Sequence, residues 1–147
     1  MYPPYPRDVR LLLVEDNPSD VWLVREALRL AQVPVQLTVA RDGLEATRYL
    51  HQIEADSNLS PDLVLLDLNL PRRNGREVLA DIQRSAVLRL IPVVILSSSN
   101  AEEERRQVYQ LKAKGFITKP SSLPAYVEMV RGMEAFWLER LELRRTA

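Results

Sequence analysis

The chain has no cysteine, which excludes disulfides, thiol catalysis and cysteine-ligated zinc. It has one histidine, His51, too few for a histidine-rich metal site. An excess of either charge is also missing. Twenty basic and 20 acidic residues cancel, whereas a nucleic-acid binder that works by counterion release carries a basic surplus. No unbroken apolar run exceeds four residues, against the ~20 needed to cross a bilayer, so no membrane association is expected. Residues 1–6 are rich in proline and tyrosine and lack the charged-then-apolar layout of a secretory leader, so a cytoplasmic location is expected. Glycine is scarce, with four in 147 residues, and none forms a phosphate-cradling loop. What remains is 46% apolar and 27% charged, an ordinary globular composition sized for one domain at ~150 residues per domain.

The apolar pattern changes period along the chain. Val9 to Val14 is a nearly unbroken apolar run, as in a strand buried on both faces. Asn17-Pro18-Ser19-Asp20 then opens a helix: asparagine suits the N-cap, proline the first turn, and Asp20 complements the helix dipole. Val21, Val24, Leu28 and Ala31 follow at helical spacing. Val35 to Ala40 alternates as a second strand, Asp42-Gly43 starts a second helix, and Glu54 to Ser60 is a polar loop. Leu63 to Asp67 is a third strand and Glu77 to Arg84 a third helix. Pro92 to Leu96 is a fourth strand, after which Ser99 or Asn100 caps a helix whose first turn holds Glu102, Glu103 and Glu104. Gly115 to Thr118 is a fifth strand, and a last helix runs from about Leu123 to Leu143. Five strand–helix repeats imply an α/β fold, a parallel sheet of order 2-1-3-4-5 with helices on both faces, flavodoxin-like.

Such sheets bind ligands beyond the carboxyl ends of their strands. Here those ends carry Glu15-Asp16, Asp67, Ser97 and Lys119. Three carboxylates brought together repel one another unless a cation is present, and an all-oxygen set of this size suits Mg²⁺. A lysine and a hydroxyl beside that ion make a site for a phosphoryl group.

Glu15-Asp16, Asp67-Leu68-Asn69-Leu70-Pro71 with Gly75, Leu96-Ser97-Ser98 and Phe116-Ile117-Thr118-Lys119-Pro120 resemble the receiver domain of two-component response regulators. The resemblance divides the chain into an N-terminal extension, residues 1–8, and one receiver domain, residues 9–147, with an extended C-terminal helix. Val14 to Pro18, Leu66 to Leu79 and Phe136-Trp137-Leu138 are similar to the stand-alone regulators that partner bacterial and cyanobacterial phytochrome histidine kinases. The resemblance implies that Asp67 accepts a phosphoryl group from the kinase and that the chain is a signalling protein, not an enzyme acting on others. Asp16 would bind Mg²⁺ directly, Glu15 through water, with Asp67 and the Asn69 backbone carbonyl as further ligands. Lys119 would pair with phosphoryl oxygens, in a Lys-Pro pair that is cis in the family. Ser97 would donate to the phosphoryl group, and Phe116, at the aromatic switch position, would turn inward as Ser97 moves.

Other features have plainer readings. Lys119 is one of three lysines among 20 basic residues, and its bland role is to close the fifth strand. Glu15-Asp16 could be solvated charges ahead of a helix. Trp22 falls about 100° from the apolar stripe of its helix; it either overlies the edge of the core or, since family partners bind across this helix, contacts the kinase. Tyr126, Val127, Val130, Met133, Phe136, Trp137, Leu141 and Leu143 make an apolar surface broader than one stripe. That breadth suggests a homodimer through the last helix, the fourth helix and the fifth strand, with Phe136 and Trp137 facing a partner. Lys112 stands where the family carries glycine, so a changed turn is expected there. Competing readings are a haloacid-dehalogenase-type phosphatase, a flavin or nucleotide binder, and a receiver-shaped adaptor that works without phosphorylation. The first lacks its Asp-x-Asp pair on strand one, and the second lacks a glycine loop.

Overall fold

Alternating side chains of the central strands divide the core in two. In the computed structural model, which describes residues 5–99, 101–134, 136–139 and 141, β1 (Val9–Val14) sends Leu12 and Val14 to one face of the sheet. Val9, Leu11 and Leu13 go to the other. β3 (Leu63–Leu66) and β4 (Val93–Ser97) divide likewise, with Val64, Leu66, Val93 and Ile95 on the first face and Leu63, Leu65, Val94 and Leu96 on the second. β2 (Val35–Ala40) and β5 (Gly115–Thr118) are the edges of an all-parallel sheet of order β2-β1-β3-β4-β5. This is the order expected from the sequence.

α1 (Pro18–Leu30) and α5 (Leu123–Gly132) cover the second face through Val24, Ala27, Leu28, Tyr126, Val127 and Val130. α2 (Gly43–Ala55), α3 (Gly75–Arg84) and α4 (Glu102–Gln110) cover the first. Burying each such leucine, isoleucine or valine contributes on the order of 1.5–3 kcal/mol. Four of these helices start on a side-chain cap: Asn17, Asp42, Asn74 and Ser122 each accept a backbone N–H from the first turn. α3 starts earlier than its apolar pattern suggests because Asn74 caps it. α4 differs. Ala101, which has no side-chain acceptor, takes the N-cap, and Ser99 Oγ accepts the Ala101 N–H at 3.2 Å instead. Asn100, the other expected cap, lies outside the described residues.

The turn after α4 does not change. Lys112 adopts φ 67°, with Lys112 N–H donating to Tyr109 O and Ala113 N–H to Val108 O, both at 3.0 Å. That is the left-handed helix end glycine usually makes, here adopted by lysine at a cost.

Residues 134, 136–139 and 141 continue as helix after α5, while Leu143 lies outside the described residues. Trp137 does not face a partner as expected. It is 1% exposed and donates its indole N–H to Tyr5 Oη at 3.0 Å. The segment before β1 explains this, because Tyr5 is itself buried and covers the helix there. Arg7 ties the same segment down with two hydrogen bonds, 2.7 and 2.9 Å, to the buried Asp62. Of the expected partner-facing pair, only Phe136 stays open, at 38% exposure.

Candidate functional site

Parallel strands end together, so the residues following β1, β3, β4 and β5 meet at one edge of the sheet. Glu15 and Asp16 follow β1 and Asp67 follows β3, and one carboxylate oxygen from each lies within 4.8 Å of the others. Glu15 and Asp67 are buried; Asp16 is exposed. Lys119, just past β5, projects its ammonium between them, 2.7 Å from Glu15 Oε1 and 3.2 Å from Asp67 Oδ2. Asp20 of α1 is a third neighbour, with Oδ2 at 2.8 Å.

The electrostatics follow from burial and crowding. Burial pushes the Glu15 carboxyl up to about 7; the Asp67 charge adds to the push and Lys119 opposes it. Burial alone would lower the Lys119 pKa, but its contacts with Asp20, Glu15 and Asp67 outweigh that and raise it. Lys119 therefore stays charged. Its ammonium forms a 2.7 Å ion pair with Glu15 Oε1, a buried oxygen that accepts no hydrogen bond of normal geometry among the described residues. Three carboxylates this close, with one ammonium among them, leave negative charge in excess, which fits a divalent cation that takes hard oxygen ligands.

The backbone around the site is closely packed. Asn69 N–H donates to Asp67 Oδ1 at 3.2 Å, and Asn17 N–H to Glu15 Oε2 at 3.2 Å. A Cβ on Gly75 would come 2.3 Å from the Asp67 carbonyl oxygen. One on Gly43 would come 1.9 Å from that of Arg73. Only glycine allows the loop after Asp67 to lie this close to α2 and α3. Arg73 then bonds Thr47 of α2 and Asp81 of α3.

Ser97 is fully buried at the end of β4 and its Oγ accepts the Ser99 N–H at 3.2 Å. Phe116 is already inside, 8% exposed, with the Arg105 guanidinium 5.0 Å from its ring centroid. Trp22 is 55% exposed beside a cavity of about 290 Å³ that it shares with Glu15, Asp16, Arg25 and Arg41. Lys119-Pro120 is trans, since the described residues include no cis peptide bond. As a helix-dipole residue Asp20 already has a sufficient role in the sequence, and nothing local points to its contact with Lys119. The contact joins positions 99 residues apart, which no local pattern brings together.

Residues 11–131 match the family described as the response regulator receiver domain, and the chain belongs to that family. It is similar to the response regulator Rcp1 of Synechocystis sp., with 42% identity over 90% of this chain and 91% of the relative. Among solved structures, it resembles the phosphorylated cyanobacterial phytochrome response regulator RcpA, at 45% identity and TM-score 0.79, covering 89% of this chain and 94% of that one. The Mn²⁺-bound form of Rcp1 matches with TM-score 0.77 at 42% identity, over 89% and 95%. The bacteriophytochrome response regulator AtBRR matches with TM-score 0.69 at 40% identity, over 86% and 92%. Among the described residues, no helix is long and apolar enough to cross a membrane.

Proposed function

We propose that the chain accepts a phosphoryl group on Asp67 from a sensor histidine kinase of the phytochrome type, in a Mg²⁺-dependent step, and signals through protein contacts. The observation that carries this reading is the ammonium of Lys119 held 3.2 Å from a buried aspartate that two further acids flank. Similarity to RcpA and AtBRR supports the choice of kinase.

In the proposed reaction an Asp67 carboxylate oxygen bonds to phosphorus as the phosphorus–nitrogen bond to the kinase histidine breaks, and the electron pair leaves with the imidazole. Phosphoryl transfer needs positioning and charge neutralisation more than proton traffic, so the lack of a site histidine is no obstacle. Glu15, Asp16, Asp67 and the Asn69 carbonyl would hold Mg²⁺, which supplies positive charge for the phosphoryl oxygens. The Asn69 N–H steadies Asp67, and Lys119 carries the remaining positive charge. Ser97 would turn its hydroxyl to the new phosphoryl oxygens, biasing a two-state loop on the α4 side.

Trp22, exposed beside the acids, is the proposed kinase contact. α4, β5 and the helix beyond α5 are the proposed homodimer surface, with Phe136 in it. Acetyl phosphate with Mg²⁺, followed by intact mass, tests the chemistry: wild type should gain one phosphoryl group, while EDTA or Asp67→Asn should prevent it. Labelling that persists in Asp67→Asn defeats the assignment. Trp22→Ala should slow transfer from the kinase and leave acetyl phosphate labelling as it was. Sedimentation that finds only monomer at ~50 μM, where moderate interfaces associate, defeats the dimer.

A further inference from the structure

We infer that Asp20 and Tyr126 form a second, conditional pair at this site: Asp20 holds Lys119 at rest, and the Tyr126 hydroxyl takes over Asp20 when a phosphoryl group claims the lysine. This deepens the phosphoacceptor reading and rests on it.

Two observations meet here. Asp20 Oδ2 lies 2.8 Å from the Lys119 ammonium, nearer than Asp67 at 3.2 Å and as close as Glu15 at 2.7 Å. Its carboxylate is not occupied in capping α1, because Asn17 Oδ1 accepts the Ser19 and Asp20 N–H groups and the Asn17 N–H goes to Glu15. Asp20 is thus free to turn toward the lysine. Independently, Tyr126 of α5 is 0% exposed and its hydroxyl oxygen has no hydrogen-bond partner among the described residues. Buried polar groups are rarely left so, and each one calls for a reason. α1 packs on α5, both helices start at the strand-end edge of the sheet, and Asp20 and Tyr126 each lie in the first turn of their helix, so the carboxylate and the hydroxyl stand at the same end of the α1–α5 seam.

An ammonium has three N–H groups, and Lys119 already faces three acids. Phosphoryl oxygens on Asp67 add charge-assisted acceptors that compete for the same donors. Glu15 is pulled toward the metal and Asp67 has become the acyl phosphate, so Asp20 is the partner Lys119 releases. A half-buried carboxylate without a cation then needs a donor. Tyr126 supplies one, and its proton stays on the phenol oxygen. The new hydrogen bond joins α1 to α5 only in the phosphorylated state.

The test uses the full chain with tyrosine labelled at ¹³Cζ and beryllofluoride plus Mg²⁺ as the phosphoryl mimic. The Tyr126 resonance, assigned with Tyr126→Phe, should move on loading in wild type and stay still in Asp20→Asn. Loading itself is read separately from the ¹⁹F resonances of the bound beryllofluoride. Asp20→Asn should also reach half-maximal labelling at about threefold less acetyl phosphate, because a partly exposed competing ion pair has been removed. If wild type loads and the Tyr126 signal does not move, or moves equally in Asp20→Asn, the pair is refuted and the phosphoacceptor reading stands. If neither beryllofluoride nor acetyl phosphate modifies the wild type, both readings fall together.

Discussion

Asp67→Asn is expected to make the metal-free protein more stable, although it removes a partner of Lys119. At an effective dielectric near 20, acids within 4.8 Å of each other repel by at least about 3.5 kcal/mol, and the Lys119 contact at 3.2 Å attracts by about 5 kcal/mol. Asp67 faces two such acids, but Asp16 is exposed and solvent screens its share, so attraction and repulsion nearly cancel. Lys119 keeps Glu15 and Asp20 after the substitution, and the amide oxygen can still accept the Asn69 N–H. What decides the sign is the desolvation of an ionised carboxylate in a site 4% exposed, relieved in the variant by about 1–2 kcal/mol. Mg²⁺ works the other way, adding about 1.4 kcal/mol to wild type at ten times its Kd and less to a variant short of one ligand. Urea denaturation at pH 8 in EDTA, repeated with MgCl₂, checks both signs. At pH 6 the gap in EDTA should shrink, because Glu15, pushed up to about 7, takes up a proton and one repulsion is lost. A variant less stable than wild type in EDTA at pH 8 would refute the reasoning that these acids are held under strain.

Trp137→Ala should cost roughly 3–5 kcal/mol in a urea titration, as expected for a buried indole, whereas Phe136→Ala should change stability little and self-association more. Lys112→Gly should stabilise by roughly 0.5–1 kcal/mol: relief of the left-handed conformation outweighs the added freedom of the unfolded chain. Tyr126, its hydroxyl pushed up to about 12 by burial first and by Asp20 next, ionises in the unfolded chain near 10. Its contribution to stability is therefore complete below pH 10 and is lost as pH rises to 12, by roughly 2–3 kcal/mol. Urea midpoints between pH 10 and 12 should fall more steeply in wild type than in Tyr126→Phe.

The sheet order and the strand-end residues were legible in the sequence for one reason. Buried parallel strands need short apolar runs, and such runs place their following residues side by side whatever the loops do. Glu15, Asp16, Asp67 and Lys119 could thus be gathered from spacing alone. Trp137 could not be placed that way. Its helix carries apolar residues on more than one stripe, and periodicity cannot say whether a second chain or Tyr5 of the same chain covers the extra one. The same limit hid Asp20, whose position in the first turn of α1 already had a sufficient local explanation. Lys112 misled in the opposite direction: its side chain argued against a left-handed turn, and the two backbone hydrogen bonds that close the end of α4 prevailed.

The two loops that border Asp67 are built unequally. On one side, Gly43 and Gly75 let backbone press on backbone, and Arg73 bridges α2 to α3. On the other, α4 begins at an alanine and joins the rest through the buried Val108, through Arg76, which reaches Gln107 and Glu104, and through Arg105 over Phe116. Force arising at the aspartate meets a wall in the first direction and a few side-chain tethers in the second. On the proposed reading, movement started at Asp67 would go toward α4, so local stiffness would set the direction of the response.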